Sequence, residues 1–350
     1  MKNQSQPAGK RRTVQRNQFK ASLKDVSPRV FSLSEALGAA AIAEEPKESD
    51  FEAAYRAMRE WVGWTSAPEK SSPRGSKAIN PKGRKDRFSI TVINDVHVPF
   101  HDMEALREMI RRESASTDLL VVAGDLADMW SFSRWPKSSR LTDYKTEWQE
   151  TIAVLRLLSD NFKEVVILPG NHEDRFLRFL LRLRDDPELM DFLEFAFPGI
   201  KNPLMVIARG LPNVTVAQPA QQDHARYNFL YQIGDLVIGH PEVYSIIPNR
   251  AVSNFIHYLQ SKLLPAGVIG PFTVAGIGHT HQAGKTFTDF ATVGFEMGCM
   301  CLTPEYDGQA RIYGAKRPQV VGYTKFYQLD GKTDLAESNF IPLKFGRKLF

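Results

Sequence analysis

Three apolar, β-branched segments, each followed at once by a short polar cluster, constrain the fold of this chain more than any other feature. The segment FSITVI runs into NDVH, DLLVVA runs into GDLAD, and EVVIL runs into PGNHED. Helical patterns over Met103–Glu113 and Thr146–Leu158 separate the three. Strands that alternate with helices predict βαβ units and a mostly parallel inner arrangement. Because such strands carry their ligands at their carboxyl ends, we expect the polar clusters to meet at one edge.

The second half of the chain predicts a further layer of strands that ends in histidines. The stretch FLYQIGDLVIGH holds two short strand-like runs around a Gly-Asp turn, as in a hairpin, and ends at His240. A helix is predicted over 249–263, and PFTVAGIGHTH is an apolar run that ends in His279 and His281. The later runs KTFTDFATVGF and VGYTKFYQLDG have the pattern of antiparallel strands. The expected fold is a two-layer β sandwich with helices outside.

Length and composition are those of a soluble globular protein. The chain has 350 residues, of which 43% are hydrophobic and 24% charged. No apolar run approaches the roughly 18 residues that a membrane span needs, and the first residues lack the apolar core of a secretory signal. Two cysteines, Cys299 and Cys301, cannot form a disulfide framework. We therefore expect a cytoplasmic protein that does not bind membranes.

The net charge of +5 is unevenly distributed along the chain. Residues 1–30 carry eight Lys/Arg and one acid, and residues 66–87 carry seven Lys/Arg and two acids, so the remainder is acidic. We predict a disordered basic tail over 1–30, a small helical segment over 31–65, a basic linker over 66–87 and the main domain over 88–350. The two basic segments are either solvated connectors or arms that hold DNA or RNA near the domain.

The polar clusters supply a mixed set of carboxylate, imidazole and amide ligands. Such a set suits Mn, Fe, Zn or Co better than Ca or Mg. The recurring polar residues are Asp95 and His97, Asp125 and Asp128, Asn171, His172 and Glu173, His240, and His279 and His281. Seven ligands from such a set are too many for one ion but fit two ions that share a carboxylate. Two ions roughly 3.5–4 Å apart can hold a hydroxide between them and clamp the oxygens of a phosphoryl group.

Five motifs, DVH, GDLAD, GNHE, GH and GHTH, follow one another over about residues 88–285. In this order they resemble the motifs of the calcineurin-like metallophosphoesterase superfamily. The resemblance implies an α/β fold of four layers, α/β/β/α, and a hydrolase that uses two divalent metal ions. We expect Mn first, with Fe, Zn, Co or Ni as alternatives.

The same resemblance implies a role for each candidate residue. The ligands of the first metal would be Asp95, His97 and His281. The ligands of the second metal would be Asn171, His240 and His279. Asp125 would bridge the two ions. His172 would protonate the departing oxygen or steady the charge on the phosphate, and Asp128 would orient the His172 imidazole.

For other residues near the motifs, a structural role is weighed against a functional one. Glu173 is expected to be a hydrogen-bonding turn residue, and Cys299 and Cys301 to be core thiols, with a third metal site as the alternative. Trp130 and Trp135 either pack in the core or in a lid, or stack on a base. The histidines outside the motifs, expected to be structural or at the surface, are His101, His224 and His257. The glycines expected to let the backbone approach the metal ligands closely are Gly124, Gly170, Gly239 and Gly278.

The second motif bears on the kind of phosphoester. Protein Ser/Thr phosphatases continue it as GDxVDRG, whereas this chain has GDLADMW, so Met129 and Trp130 replace the Arg-Gly that helps hold a monoester dianion. The leading hypothesis is therefore a phosphodiesterase or nuclease that acts on nucleic acid or nucleotide diesters. The alternatives are a phosphomonoesterase and a catalytically silent nucleic-acid-binding adaptor. The arginines that could replace the missing one from nearby loops are Arg134, Arg140, Arg175 and Arg178.

Overall fold

A computed structural model gives the architecture of the domain. The residues that it describes are 87–132, 144–175, 204, 208, 210–217, 230–245, 247–288, 292–302 and 319–343. The predicted basic tail, the helical segment and all but the last residue of the predicted linker lie outside these ranges, so the domain boundaries stay a prediction. No helix of the described residues is long and apolar enough to cross a membrane.

Strands and helices alternate through the first half of the domain, as the sequence pattern predicts. In chain order the elements are β1 (Phe88–Ile93), α1 (Met103–Glu113), β2 (Leu119–Ala123), α2 (Tyr144–Asn161), β3 (Val165–Leu168), β4 (Val214–Val216), β5 (Leu230–Ile233), β6 (Leu236–Gly239), α3 (Arg250–Tyr258), β7 (Val274–Ile277), β8 (Ala283–Phe287), β9 (Val293–Met297), β10 (Gly322–Leu329), β11 (Lys332–Thr333) and β12 (Asn339–Pro342). A π-helical turn, Leu259–Leu263, extends α3, so the helices predicted within the main domain are present, whereas the predicted helical segment over 31–65 lies outside the described residues.

The described strands form two mixed sheets. The first has the order β11-β10-β1-β2-β3-β4, with β12 also paired to β10, and β1 to β4 run parallel. The second has the order β5-β6-β7-β9-β8, with β6, β7 and β9 parallel and the two outer strands antiparallel. The predicted parallel centre and the β5–β6 hairpin are both confirmed.

The core lies between the two sheets. Because side chains alternate between the faces of a strand, every second residue points into this layer. Ile90 and Val121 of the first sheet pack there with Ile238 and Phe295 of the second, and all four are buried. Each such side chain contributes about 1.5–3 kcal/mol to the free energy of unfolding. The mixed α/β sandwich predicted from the sequence is confirmed.

Helices cover the outer faces of the sandwich. On the second sheet, Phe255 and Ile256 of α3 pack against the buried side chains of Val237 and Ile277. The loops that follow the strands carry the candidate ligands.

A buried ion pair joins α1 to the outer face of the first sheet. Lys325 of β10 donates a hydrogen bond of 2.7 Å to Glu113, which also accepts one of 2.7 Å from the Tyr323 hydroxyl. Burial opposes ionisation of Glu113, yet these two bonds hold its pKa below the usual value. Burial lowers the pKa of Lys325, which favours the neutral amine, whereas the lowered pKa of Glu113 favours the charged pair. We take the pair as charged, because two donors stabilise the Glu113 carboxylate.

Candidate metal centre

The candidate ligands all lie in loops that follow strands at one edge of the sandwich. Asp95 and His97 follow β1, Asp125 follows β2, and Asn171 follows β3. In the second sheet His240 follows β6, and the GHTH loop follows β7. Because these strands end at the same edge, their loops converge. The structure therefore brings together all seven side chains that the motifs single out.

One group of ligand atoms is formed by Asp95, His97 and His281. Asp95 Oδ1 lies 3.2 Å from His281 Nε2 and 3.6 Å from His97 Nε2, and the two Nε2 atoms are 3.2 Å apart. Asp95 Oδ1 is buried and makes no hydrogen bond with a described residue. Atoms bound to one ion at 2.0–2.2 Å lie roughly 3 Å from each other. The arrangement is that of ligands around one ion.

A second group is formed around His240. Its Nε2 atom lies 3.2 Å from Asp125 Oδ2 and 3.2 Å from Asn171 Oδ1. His279 belongs to the same group, because one ligand atom each of Asp125, His240 and His279 lie within 4.8 Å of one another. Carboxylate, amide and imidazole donors are thus available for a second ion.

Asp125 lies between the two groups. Its Oδ2 atom is 3.2 Å from His240 Nε2 and 3.7 Å from His97 Nε2. The other oxygen, Oδ1, accepts a hydrogen bond of 2.9 Å from the backbone N–H of His172 and fixes the carboxylate. One carboxylate therefore faces both groups, as the bridging role requires, and that role stays a prediction.

Hydrogen bonds to the rear of two imidazoles orient them toward the centre. His97 Nδ1 lies 2.9 Å from Asp128 Oδ1, and His240 Nδ1 lies 2.7 Å from the carbonyl oxygen of Ala123. Each Nδ1 donates its proton to one of these acceptors, so Nε2 is the nitrogen that faces the centre and that can bind a metal once it is unprotonated. The contact of Asp128 with His97 was not predicted, because the motif assigned Asp128 to His172 alone.

His172 lies beside the two groups, with its ring between Asp128 and Arg175. Its Nδ1 atom is 2.8 Å from the carbonyl oxygen of Asp128 and 3.2 Å from Asp128 Oδ1. Its Nε2 atom lies 3.6 Å from Asp125 Oδ2. Arg175 Nη2 donates to His172 Nε2 at 2.8 Å, and Nη1 donates to the Asp128 carbonyl at 3.0 Å. The structure thus places Asp128 where the motif requires it.

The third motif is tied to the second through Glu173. The Glu173 carboxylate accepts hydrogen bonds from the backbone N–H groups of Ala127, at 2.8 Å, and Gly170, at 2.7 Å. Glu173 is fully buried, and burial followed by the charge of Asp125 raises its pKa to about 7. Its predicted role as a hydrogen-bonding turn residue is confirmed.

Cys301, interpreted from the sequence as a core thiol with a metal site as the alternative, lies beside the first ligand group, a position that the sequence did not predict. Its Sγ atom lies 3.9 Å from His281 Nδ1, and the thiol is free and buried. Cys301 follows β9, which runs parallel to β7, so both strands end at the ligand edge. That topology is the signal that could have found it. Cys299 is also free and buried, in agreement with its interpretation as a core thiol.

The aromatic and basic residues near the second motif are partly described. Trp130 is 2% exposed, so it packs in the core and offers no face to a base. Of the four arginines considered from the sequence, Arg175 is described, and it contacts His172. The predicted residues that lie outside the described ranges are Arg134, Trp135, Arg140, Arg178 and His224.

A comparison with known families matches the motifs of this centre. The profile of the calcineurin-like phosphoesterase family matches residues 88–283, which is more than half of the chain. The chain belongs to this family. It is a hydrolase that acts on phosphoester bonds. The family uses a dinuclear centre of divalent metals, and the ligand groups described above fit that requirement.

Solved structures of similar proteins exist, and a search of curated proteins finds no match. A predicted phosphoesterase from Streptococcus pneumoniae is 11% identical, with 74% of this chain and 99% of that chain covered and a TM-score of 0.30. A phosphoesterase from E. coli is 12% identical, with 70% and 96% covered and a TM-score of 0.31. A dimetal phosphatase from Danio rerio is 12% identical, with 69% and 93% covered and a TM-score of 0.32. The family assignment rests on the profile.

The charges in this phosphoesterase centre stabilise one another. Burial opposes ionisation of Asp95, yet His281 and His240 hold its pKa well below the usual range. Burial likewise opposes ionisation of Asp125, and His172 and His240 hold its pKa low. The carboxylates in turn overcome burial at His240 and raise its pKa to about 9. The carboxylates are therefore ionised and ready to bind cations.

The phosphoesterase centre is built on strained backbone. Residues other than glycine rarely adopt a positive φ, and each costs of order 1–3 kcal/mol. Five predicted ligands have φ between 49° and 73°, and they are Asp95, His97, Asp125, His279 and His281. Such strain clusters at functional sites, where the surrounding structure holds it. Hydrogen bonds between the Asp95 N–H and the Gly124 carbonyl, and between the His97 N–H and the Asp125 carbonyl, provide that support.

Glycines allow the loops to come this close. A Cβ atom on Gly278 would lie 2.8 Å from His240 Nδ1 and 3.0 Å from Asp95 Oδ2. A Cβ atom on Gly124, whose φ is +88°, would overlap the His240 ring. At Gly239 the Cβ would instead meet Phe255 of α3. The prediction of close approach is confirmed at the centre, while Gly239 is required for helix packing.

Proposed function

We propose that this phosphoesterase is a phosphodiesterase that acts on nucleic acid or nucleotide diesters with two metal ions, Mn²⁺ in the first instance. The position of Asp125 carries the proposal: its Oδ2 atom lies 3.7 Å from His97 Nε2 and 3.2 Å from His240 Nε2, so Asp125 would be available to both ions. When bound, two such ions supply an activated water and stabilise the charge on the phosphoryl oxygens. The chain itself supplies the ligands and holds them in place.

The residues beside the ligands would handle the leaving group. His172 Nε2 is 3.6 Å from Asp125 Oδ2, so this nitrogen faces the position of a phosphoester bound at the centre. Asp128 holds the opposite side of the ring through its carbonyl oxygen, at 2.8 Å from Nδ1. A fixed imidazole can protonate the departing oxygen or hold charge on the phosphate.

The preference for a diester follows from the absence of an arginine from the second motif. Met129 and Trp130 stand where protein phosphatases have Arg-Gly, and Trp130 is buried. The diester preference rests on the arginine that is missing from the second motif, because a diester carries one negative charge whereas a monoester carries two.

Nucleic acid as the substrate is supported by the basic segments at residues 1–30 and 66–87. Lys and Arg in such segments bind polyanions without sequence preference, and the affinity falls as salt rises. We expect replacement of the eight Lys/Arg of residues 1–30 by Gln to weaken DNA or RNA binding and to reduce its salt dependence. Unchanged binding would restrict the substrate to small nucleotide diesters. A cytoplasmic location belongs to the same proposal.

Hydrolysis of two small substrates tests the proposed reaction. Turnover of bis-p-nitrophenyl phosphate is compared with that of p-nitrophenyl phosphate, with Mn²⁺ added, for the wild type and for His172→Ala. The proposal predicts a diester preference that the variant loses. Turnover of the monoester alone would contradict it.

A phosphomonoesterase is the second candidate, and the Arg175 contact is what favours it. A guanidinium beside His172 can hold a dianion with two parallel hydrogen bonds. In that case p-nitrophenyl phosphate would be the better substrate. No turnover of either substrate, with salt-dependent nucleic-acid binding unaffected by His172→Ala, would instead identify a silent adaptor.

A further inference from the structure

Arg175 is hydrogen-bonded to Nε2 of His172, the ring nitrogen that faces the centre. Its Nη2 donates to His172 Nε2 at 2.8 Å, while Nη1 donates to the Asp128 carbonyl oxygen at 3.0 Å. Because Nε2 accepts a hydrogen bond here, it cannot donate one to a leaving oxygen at the same time. Arg175 must therefore release Nε2, and Nε2 must take up a proton from solvent, before His172 can protonate a leaving oxygen there.

Arg175 has N–H groups left over that could donate to an acceptor on a substrate. A guanidinium has five N–H donors in a fixed fork, which is more than its two bonds to His172 and Asp128 use. The Arg175 side chain is 20% exposed, whereas the Asp128 side chain is fully buried. The Arg175 side chain is thus partly exposed beside the buried Asp128.

We propose that Arg175 binds the phosphoryl oxygens of the substrate, and that it exchanges its bond with His172 Nε2 for the bond with phosphate. The exchange keeps the guanidinium anchored on Asp128 and leaves Nε2 turned toward the leaving oxygen. Arg175 is then a phosphate-binding residue that follows the third motif, at a position different from that of the arginine absent from the second motif. This assignment rests on the proposed function for its substrate class.

Binding of inorganic phosphate to the full-length, Mn²⁺-loaded protein tests the assignment without turnover. Calorimetry gives the phosphate dissociation constant for the wild type, Arg175→Met, Arg175→Lys and a control, Arg111→Met. Arg111 lies on α1 with its side chain 70% exposed and ion-paired with Glu108, so its loss should leave phosphate binding unchanged. Metal content is measured for every variant.

The assignment predicts that Arg175→Met weakens phosphate binding by roughly 10- to 100-fold, the value of a hydrogen-bonded charge. Arg175→Lys should be intermediate, because lysine keeps the charge but loses the fork. Both variants should keep the wild-type metal content. Wild-type phosphate affinity in Arg175→Met would overturn the assignment. Metal loss in both Arg175 variants would also overturn it, because Arg175 would then be a structural support.

The outcome is separable from the fate of the proposed function. If the wild type hydrolyses only monoesters, the diester proposal fails, but the effect of Arg175→Met on phosphate binding still stands. If diester turnover is intact in the wild type and phosphate binds Arg175→Met as tightly, the Arg175 assignment alone fails.

Discussion

Gly170 is the position where one added methyl group would most directly disturb the centre. A Cβ atom there would overlap Asp125 Oδ1 and the Asp125 backbone nitrogen, and it would lie 2.8 Å from the carboxyl carbon. Ordinary contacts begin at 3.4 Å, so Asp125 or the third motif must move by roughly 1 Å. The backbone cannot give way easily, because the Asp125 carbonyl accepts a bond of 2.9 Å from the His97 N–H.

The expected result of Gly170→Ala follows from that displacement. A misplacement of about 1 Å costs on the order of 100-fold in rate, and overpacking costs about 1–3 kcal/mol in the free energy of unfolding. The assay is kcat for bis-p-nitrophenyl phosphate at saturating Mn²⁺, together with urea unfolding. Gly270→Ala is the matched control, because its Cβ would make an ordinary contact of 3.5 Å with Gln232. Wild-type kcat in Gly170→Ala would refute the reasoning.

Three further predictions concern the assigned roles and the buried pair. His172→Ala should lower turnover by roughly 10²- to 10⁴-fold while leaving the metal content near that of the wild type. Asp125→Asn should instead lose both ions. Equal metal loss in the two variants would show that the assigned roles are wrong. Lys325→Met should lower the free energy of unfolding in urea by about 3 kcal/mol, because the Glu113 carboxylate is then buried without its lysine partner. Adding Glu113→Leu should restore much of that free energy. An unchanged free energy of unfolding in Lys325→Met would contradict this. Because the pKa of Glu113 is lowered, its contribution to stability is full above the ordinary value of 4.5 and is lost as pH falls through the folded value. The difference in unfolding free energy between the wild type and Glu113→Gln should therefore shrink from about pH 6 to about pH 3, and a constant difference would contradict it.

The fold was predictable because the hydrophobic pattern reports burial. Strands buried on both faces appear as continuous apolar runs, and the amphipathic helix Met103–Glu113 has the bounds that its pattern predicts. The convergence of the loops followed from strand direction alone. The predicted helix over 146–158 is longer in the structure, Tyr144–Asn161, because helix ends depend on local contacts that periodicity does not encode.

The finer features of the centre were beyond the sequence for physical reasons. Spacing did not show that Asp128 also contacts His97, since that contact joins two loops from different strands. The sequence could not predict the positive φ of Asp125, because glycine is the usual sequence signal of a positive φ. The partnership of Arg175 with His172 had a signal, because residues three apart on a helical turn are neighbours. The sequence nevertheless left four arginines open, and Arg175 is the one of the four that lies within the described residues.

The number of metal ions bound per chain tests the central claim most directly. The purified protein is stripped of metal, titrated with Mn²⁺ and analysed by equilibrium dialysis with elemental detection. The account predicts two ions per chain, because Asp125 Oδ2 faces both the His97 group and the His240 group. One ion per chain, or none, would contradict the shared carboxylate and with it the proposed two-metal hydrolysis.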